Sequence, residues 1–243
     1  MGYDKRIDGR KFNELRPIEA KVGVIPRADG SAFFKIGNTW AYATVYGPRN
    51  LYPKALQNPE RGILRCTYNM MPFSGAGERV RPGPSRRSKE ISLVTENALL
   101  PVLNLEDFPN SVVDVYIDLP QTDAGSRCAG ITAAAMALAD AGIPMKDMPV
   151  AVAVGKVENQ FLVDLNYEEE AYEGEVVDMP ISILPRTREI TLLQMDGQLK
   201  PEDFDKLLDI ALEPLLKINE IQKRALKEKF KGISEEEVKN NDI

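Results

Sequence analysis

The sequence predicts an α+β protein: a single domain built from two strand-rich halves, each running on into helices. Three observations predict it. Hydrophobic periodicity and turn signals give the order four strands, helix, strand, helix, four strands, helix, which reads as a weak internal duplication. No Gly/Ser linker and no short-period repeat divides the chain. Its 243 residues, 43% of them hydrophobic, are enough to bury a sizeable core. The domain is expected to span residues 1–243, with its core over about 6–230 and a charged tail over 231–243 that frays from Ser234.

Each element has its own signal. Arg6–Arg16 is a charged opening segment, and Ile18, Ala20, Val22 and Val24 then alternate with other residues as a strand does. Turns at Ala28-Asp29-Gly30 and Gly37-Asn38 separate the strands Ser31–Ile36 and Trp40–Tyr46, giving an antiparallel meander. Gly47–Gly62 is a loop with three prolines, and Ile63–Met70 returns as a strand. Pro72–Pro84 is too rich in Gly and Pro for regular structure. A helix over Ser85–Leu100 places Ile91, Val94 and Ala98 on one face. The run Val112–Ile117 leads as a strand into Gln121–Gly142, a turn followed by an alanine-rich helix. Ser126 suits its N-cap, and Gly142 stands just past its end. Val150–Val154 and Phe161–Leu165 form a hairpin across Glu158-Asn159, Asn166–Glu175 is an acidic stretch, and Val176–Leu184 and Glu189–Gln194 are two more strands. Pro201 opens the last helix, which Pro214 should kink.

Composition excludes several chemistries. The chain has no histidine, so Ser-His-Asp and Cys-His catalysis and histidine metal sites are absent, and acid–base work falls to carboxylate, lysine or tyrosine. Cys66 and Cys128 stand far apart in apolar surroundings, as reduced core residues of a cytoplasmic protein do. The sequence has neither a signal-peptide pattern nor an apolar run of membrane-spanning length, so no membrane role is expected. The net charge of −6 means that any nucleic-acid contact must rely on a local concentration of cations.

Four constellations carry chemistry, and each also admits a bland reading. Asp123-Ala-Gly-Ser-Arg127 before its helix is an anion seat, or a structural cap with Arg127 paired to an acid. Arg79, Arg81, Arg86, Arg87 and Lys89 place five cations in eleven residues of an acidic protein. Two of them sit at a helix start, where the dipole disfavours cations unless an anion is bound nearby; the alternative is a solvated basic loop. Asp178, in the apolar run V-V-D-M-P-I-S-I, is a functional carboxylate or a surface residue at a strand start. The glutamates at 168, 169, 170, 173 and 175 read as a solvated loop, though hydrated Mg²⁺ suits such a stretch. Arg61, Arg65 and Tyr68 combine charge and an aromatic ring as single-strand RNA binders do, or form an ordinary surface loop with a core tyrosine.

In combination these segments resemble the RNase PH family. The motifs are R-I-D-G-R and E-L-R-P-I within residues 6–18, G-S-A at 30–32, V-Y-G-P at 45–48 and M-P-F-S at 71–74. P-S-R-R-x-x-E-I at 84–91, Q-T-D-A-G-S-R at 121–127, A-L-A-D-A-G-I-P-M at 137–145, V-A-V-G-K at 152–156 and D-M-P at 178–180 complete the set. Within the family the chain is most similar to the catalytic RNase PH-type ring subunits of the archaeal exosome. Two stretches depart from the usual pattern, Val176-Val177 before Asp178 and Leu119-Pro120 before Gln121, and neither removes a functional group.

The resemblance implies a single RNase PH-type domain and 3′→5′ phosphorolysis. Inorganic phosphate, as co-substrate, attacks the terminal phosphodiester of RNA and releases a nucleoside diphosphate; the reverse reaction adds 3′ tails. By resemblance, Asp178 is catalytic, Arg87, Gly125, Ser126 and Arg127 bind phosphate, and Arg61, Tyr68 and Arg86 contact RNA, with Mg²⁺ as an optional ion. The implied partners are single-stranded RNA 3′ ends, an inactive RNase PH-like paralogue alternating in a hexameric ring, and RNA-binding cap subunits. A stand-alone RNase PH trimming tRNA 3′ ends and a non-catalytic RNA-binding ring scaffold are the competing expectations.

Overall fold

The structure, a computed structural model, describes residues 3–76 and 80–240, with side chains described to residue 231. Its elements follow the expected order. Strands β1 (Ile18–Val22), β2 (Gly30–Ile36), β3 (Thr39–Asn50) and β4 (Ile63–Met70) precede helix α1 (Arg86–Leu99). Strand β5 (Ser111–Gln121) leads to helix α2 (Ser126–Asp140). Strands β6 (Val150–Val157) and β7 (Gln160–Val163), the short helix α3 (Tyr167–Glu170), strands β8 (Val176–Ile183) and β9 (Ile190–Leu193) and helix α4 (Pro201–Asn240) complete the chain.

The strands form a five-stranded sheet, ordered β1-β2-β3-β5-β4, and a four-stranded sheet, ordered β7-β6-β8-β9. All pairs are antiparallel except β4 with β5, which α1 connects as a crossover. Helix α2 lies between the sheets, touching β2 and β3 of one and β6 and β8 of the other. Its composition explains the placement. From Ser126 to Leu138 every residue except Arg127 is buried, and the run of alanines lets backbone approach on both sides. The contact is closest at Gly30, where a Cβ would lie 2.3 Å from the Ala141 nitrogen. One hydrophobic cluster takes in both sheets, α1, α2 and α4, with Phe34, Val115, Ile91, Met136, Val152, Ile181 and Leu215 among its members.

Three expectations change. Asn166–Glu175 is not wholly a solvated loop: Asn166 caps α3, and Glu169 is fully buried against Arg6 at 2.6 Å. The backbone stays helical to Asn240 where fraying was expected from Ser234; Pro214 lies inside α4, as the sequence placed it. Gly125, not Ser126, caps α2. No helix among the described residues is long and apolar enough to cross a membrane.

Candidate active site

The turn between β5 and α2 carries two successive left-handed residues, Ala124 (φ 59°) and Gly125 (φ 61°). Glycine accepts this conformation without a Cβ penalty, so the chain can swing directly into the helix at Gly125. Ser126 becomes the first helical residue, and its hydroxyl, unused as a cap, borders a cavity. The turn is held from outside. Thr39 Oγ1 donates to the Ala124 carbonyl at 2.7 Å and accepts from the Asp123 amide at 2.9 Å. Arg16 donates to the Asp123 carbonyl, pairs with its carboxylate at 3.7 Å, and is itself fixed by Asp164 at 2.7 Å. The Asp123 carboxylate also accepts from the Tyr167 amide at 3.0 Å, tying α3 to the turn.

The cavity encloses about 230 Å³ and is bordered by Arg87, Gly125, Ser126, Arg127, Glu170 and Asp178. Arg87 reaches it from the first turn of α1, whose end is closed by a Ser85–Ser88 capping box. Arg127 Nη2 lies 3.4 Å from Glu90 Oε1, which also accepts from Gln194 at 3.3 Å; Arg127 Nε is buried with no hydrogen-bond partner. Asp178 sits on β8, where its backbone exchanges hydrogen bonds of 3.0 and 2.8 Å with Asp196. Its Oδ1 is sealed from solvent without a partner. Burial first, then the Glu170 and Asp196 charges, push the Asp178 carboxyl up to about 7, against the opposing pull of Arg127. Burial likewise raises Glu170, opposed by the Gly125 amide, Arg16, Arg87 and Arg127. A helix N-terminus, two arginines and a carboxyl half-protonated near neutrality can seat an anion and hand over a proton. Asp178 and Glu170 are the carboxylates that could share a hydrated divalent cation. No group of three metal-ligating side chains is placed for one among the described residues.

Family models for the RNase PH 3′ exoribonuclease family match nearly the whole of this scaffold, domain 1 over residues 14–144 and domain 2 over 147–213. The chain belongs to the RNase PH family. It is 52% identical over 232 residues to the exosome complex component Rrp41 of Thermococcus onnurineus, an alignment covering 96% of this chain and 92% of the relative. It is 47% identical to Rrp41 of Methanopyrus kandleri, covering 93% and 94%. Among solved structures it resembles a chain of the Archaeoglobus fulgidus exosome with RNA bound to the active site, with TM-score 0.73, 27% identity and 93% of each chain covered. Rice Rrp46 matches with TM-score 0.78 and 26% identity, over 90% of this chain and 98% of that one.

In this RNase PH-family chain, five of the residues singled out in the sequence converge: Arg87, Gly125, Ser126, Arg127 and Asp178 border one cavity. Arg86 is exposed beside Arg87 and does not border it. Arg61 is exposed in the loop before β4, Arg81 is exposed ahead of α1, and Arg79 lies outside the described residues. Tyr68 requires correction as a base-stacking residue. Its ring is 2% exposed and packs on Gly130 of α2, because alternation along β4 turns it to the same side as the buried Leu64. Three participants escaped the sequence reading: Glu170, which was grouped with solvated acids, and Arg16 and Tyr167, which meet the turn only in three dimensions. A signal for part of this was present, since Asn166 followed three residues later by Glu169 is a capping-box pattern and marks a helix start beside the site.

Proposed function

We propose that this chain is the catalytic ring subunit of an archaeal-type exosome, a 3′→5′ phosphorolytic exoribonuclease working in the cytoplasm, with the whole chain acting as one domain. The convergence of Arg87, Gly125, Ser126, Arg127 and Asp178 on a single cavity carries the reading. Inorganic phosphate rests on the start of α2 between Arg127 and Arg87, whose charges offset the repulsion between attacking phosphate and RNA phosphodiester. A phosphate oxygen forms a bond to the terminal phosphorus, and the bond from that phosphorus to the preceding 3′-oxygen breaks. The protonated Asp178 delivers its proton to that oxygen, and a nucleoside diphosphate leaves. The reverse sequence adds nucleotides. Where Mg²⁺ takes part, Glu170 and an ionised Asp178 would hold it, and it would neutralise the developing negative charge in place of the proton. Arg86 and Arg61 serve as phosphate contacts for single-stranded RNA. The remaining partners are an inactive paralogue alternating with this chain in a six-membered ring, and RNA-binding caps.

The reading is tested by incubating the assembled ring with end-labelled single-stranded RNA, with and without phosphate, using wild type and Asp178→Ala. Wild type should shorten RNA only with phosphate and release diphosphates, while the variant binds RNA and leaves it intact. Monophosphate products, or an unimpaired variant, would defeat the proposal.

A further inference from the structure

The phosphorolytic chemistry leaves Tyr167 without a task, yet its position is singular. It borders the phosphate cavity and also an adjoining groove of about 900 Å³, and it is the one aromatic residue among the described residues bordering either. Its side chain is 50% exposed and stacks on no other ring among the described residues. Its backbone, by contrast, is fixed on both sides. The Tyr167 amide donates to Asp123, two residues before Gly125, at 3.0 Å. Asn166 before it is locked to Glu169 by reciprocal bonds of 2.9 and 3.0 Å, and Glu169 is clamped in the core by Arg6 at 2.6 Å and Tyr3 at 2.7 Å. An exposed ring on an immobilised backbone costs little further ordering when a flat partner arrives.

We propose that Tyr167 is the base-contacting residue for the 3′-terminal nucleotide, stacking on its nucleobase where the phosphate cavity meets the groove. The inference rests on the proposed function and extends it. The terminal nucleoside leaves joined to the incoming phosphate, so its base must lie beside the seat formed by Gly125, Ser126 and Arg127. Every base offers a π-face, so the contact would hold the terminal nucleotide in register without selecting sequence.

The test uses the assembled ring with wild type, Tyr167→Ala and Tyr167→Phe, and two RNA oligonucleotides that differ only in an abasic 3′-terminal nucleotide. Steady-state phosphorolysis gives KM for RNA and for phosphate separately, and anisotropy without phosphate gives binding. Tyr167→Ala should raise the RNA KM about ten-fold, leave the phosphate KM and the saturated kcat within about two-fold, and be rescued by Tyr167→Phe. The abasic terminus should weaken binding about ten-fold for wild type and scarcely for Tyr167→Ala, since each change removes the same contact. An equal abasic penalty in wild type and Tyr167→Ala overturns the proposal, as does a phosphate KM that rises in step with the RNA KM. Failure of the wild-type ring to release diphosphate defeats the functional reading instead, and the anisotropy comparison then decides the role of Tyr167 by itself.

Discussion

Replacing Asp178 by Asn should make the protein more stable in alkaline solution while removing its activity. The carboxyl is pushed up to about 7 by burial and by Glu170, against about 3.9 for an aspartate in an unfolded chain. The folded chain therefore binds this proton more tightly. Its contribution to stability is fully present below about pH 4, falls as pH rises through the window between about 4 and 7, and is gone above it. The difference of roughly three pH units corresponds to about 4 kcal/mol at most. Asn cannot ionise and keeps the shape. The variant should exceed wild type by up to that amount at pH 8.5, with the gap shrinking to about 1.5 kcal/mol at pH 5. For a chain of this length 4 kcal/mol is a rise in melting temperature of about 10 °C. Scanning calorimetry of both proteins at the two pH values measures it, and phosphorolysis should drop by about 10²–10⁴ in parallel. A variant no more stable than wild type at pH 8.5, or a gap that does not widen with pH, would refute the buried, electrostatically loaded carboxyl.

Arg127→Lys keeps the charge and loses the fork, so the phosphate KM should rise by about ten-fold or more, read by phosphate titration at saturating RNA. Gly125→Ala places a Cβ only 3.4 Å from Arg16 Nη2, an ordinary contact; its cost is the left-handed backbone, about 1–2 kcal/mol in urea unfolding. Glu169→Gln removes the nearest counter-charge of the fully buried Arg6, leaving only Asp8 at 4.0 Å, and should cost about 3 kcal/mol, measured the same way. Sulfate, a dianion across the neutral range, should bind more tightly as pH falls from 8 to 6.5, because its arrival favours the protonated Asp178; with Asp178→Asn the dissociation constant, read by titration calorimetry, should be flat.

The order of elements was legible because each strand and helix carries its own periodicity and is bounded by turn residues. The turn that borders the cavity was legible because Gly125, Ser126 and Arg127 are consecutive, and Arg87 because cations at a helix start are anomalous. What escaped depends on distant partners. Glu169 sits in a run of acids that reads as solvated, and its partners Arg6 and Tyr3, 163 and 166 residues away, make it a core residue. Helix α3 is four residues long, too short to show a period of 3.6. Tyr68 was placed at the RNA by resemblance although the alternation along β4 groups it with Leu64 and Cys66 on the inner side. The Ser126 cap followed the preference for serine at helix starts, and lost to the left-handed pair Ala124-Gly125, which turns the chain one residue earlier.

The charge pattern of the cavity then acquires a purpose. Two arginines face two carboxylates, Asp178 and Glu170, across the cavity. Burial raises both carboxylates, that of Asp178 to about 7. A phosphate arriving on Gly125 and Arg127 adds negative charge beside Asp178 and drives that carboxyl further toward its protonated form. On the proposed function, the same event that seats the nucleophile would load the acid needed by the leaving 3′-oxygen. Asp164, by contrast, is bound by Arg16 at 2.7 Å in the scaffold behind the turn. Around the turn the fold thus separates Asp164, which fixes the turn's backbone through Arg16, from Asp178, whose Oδ1 has no hydrogen-bond partner and which borders the cavity.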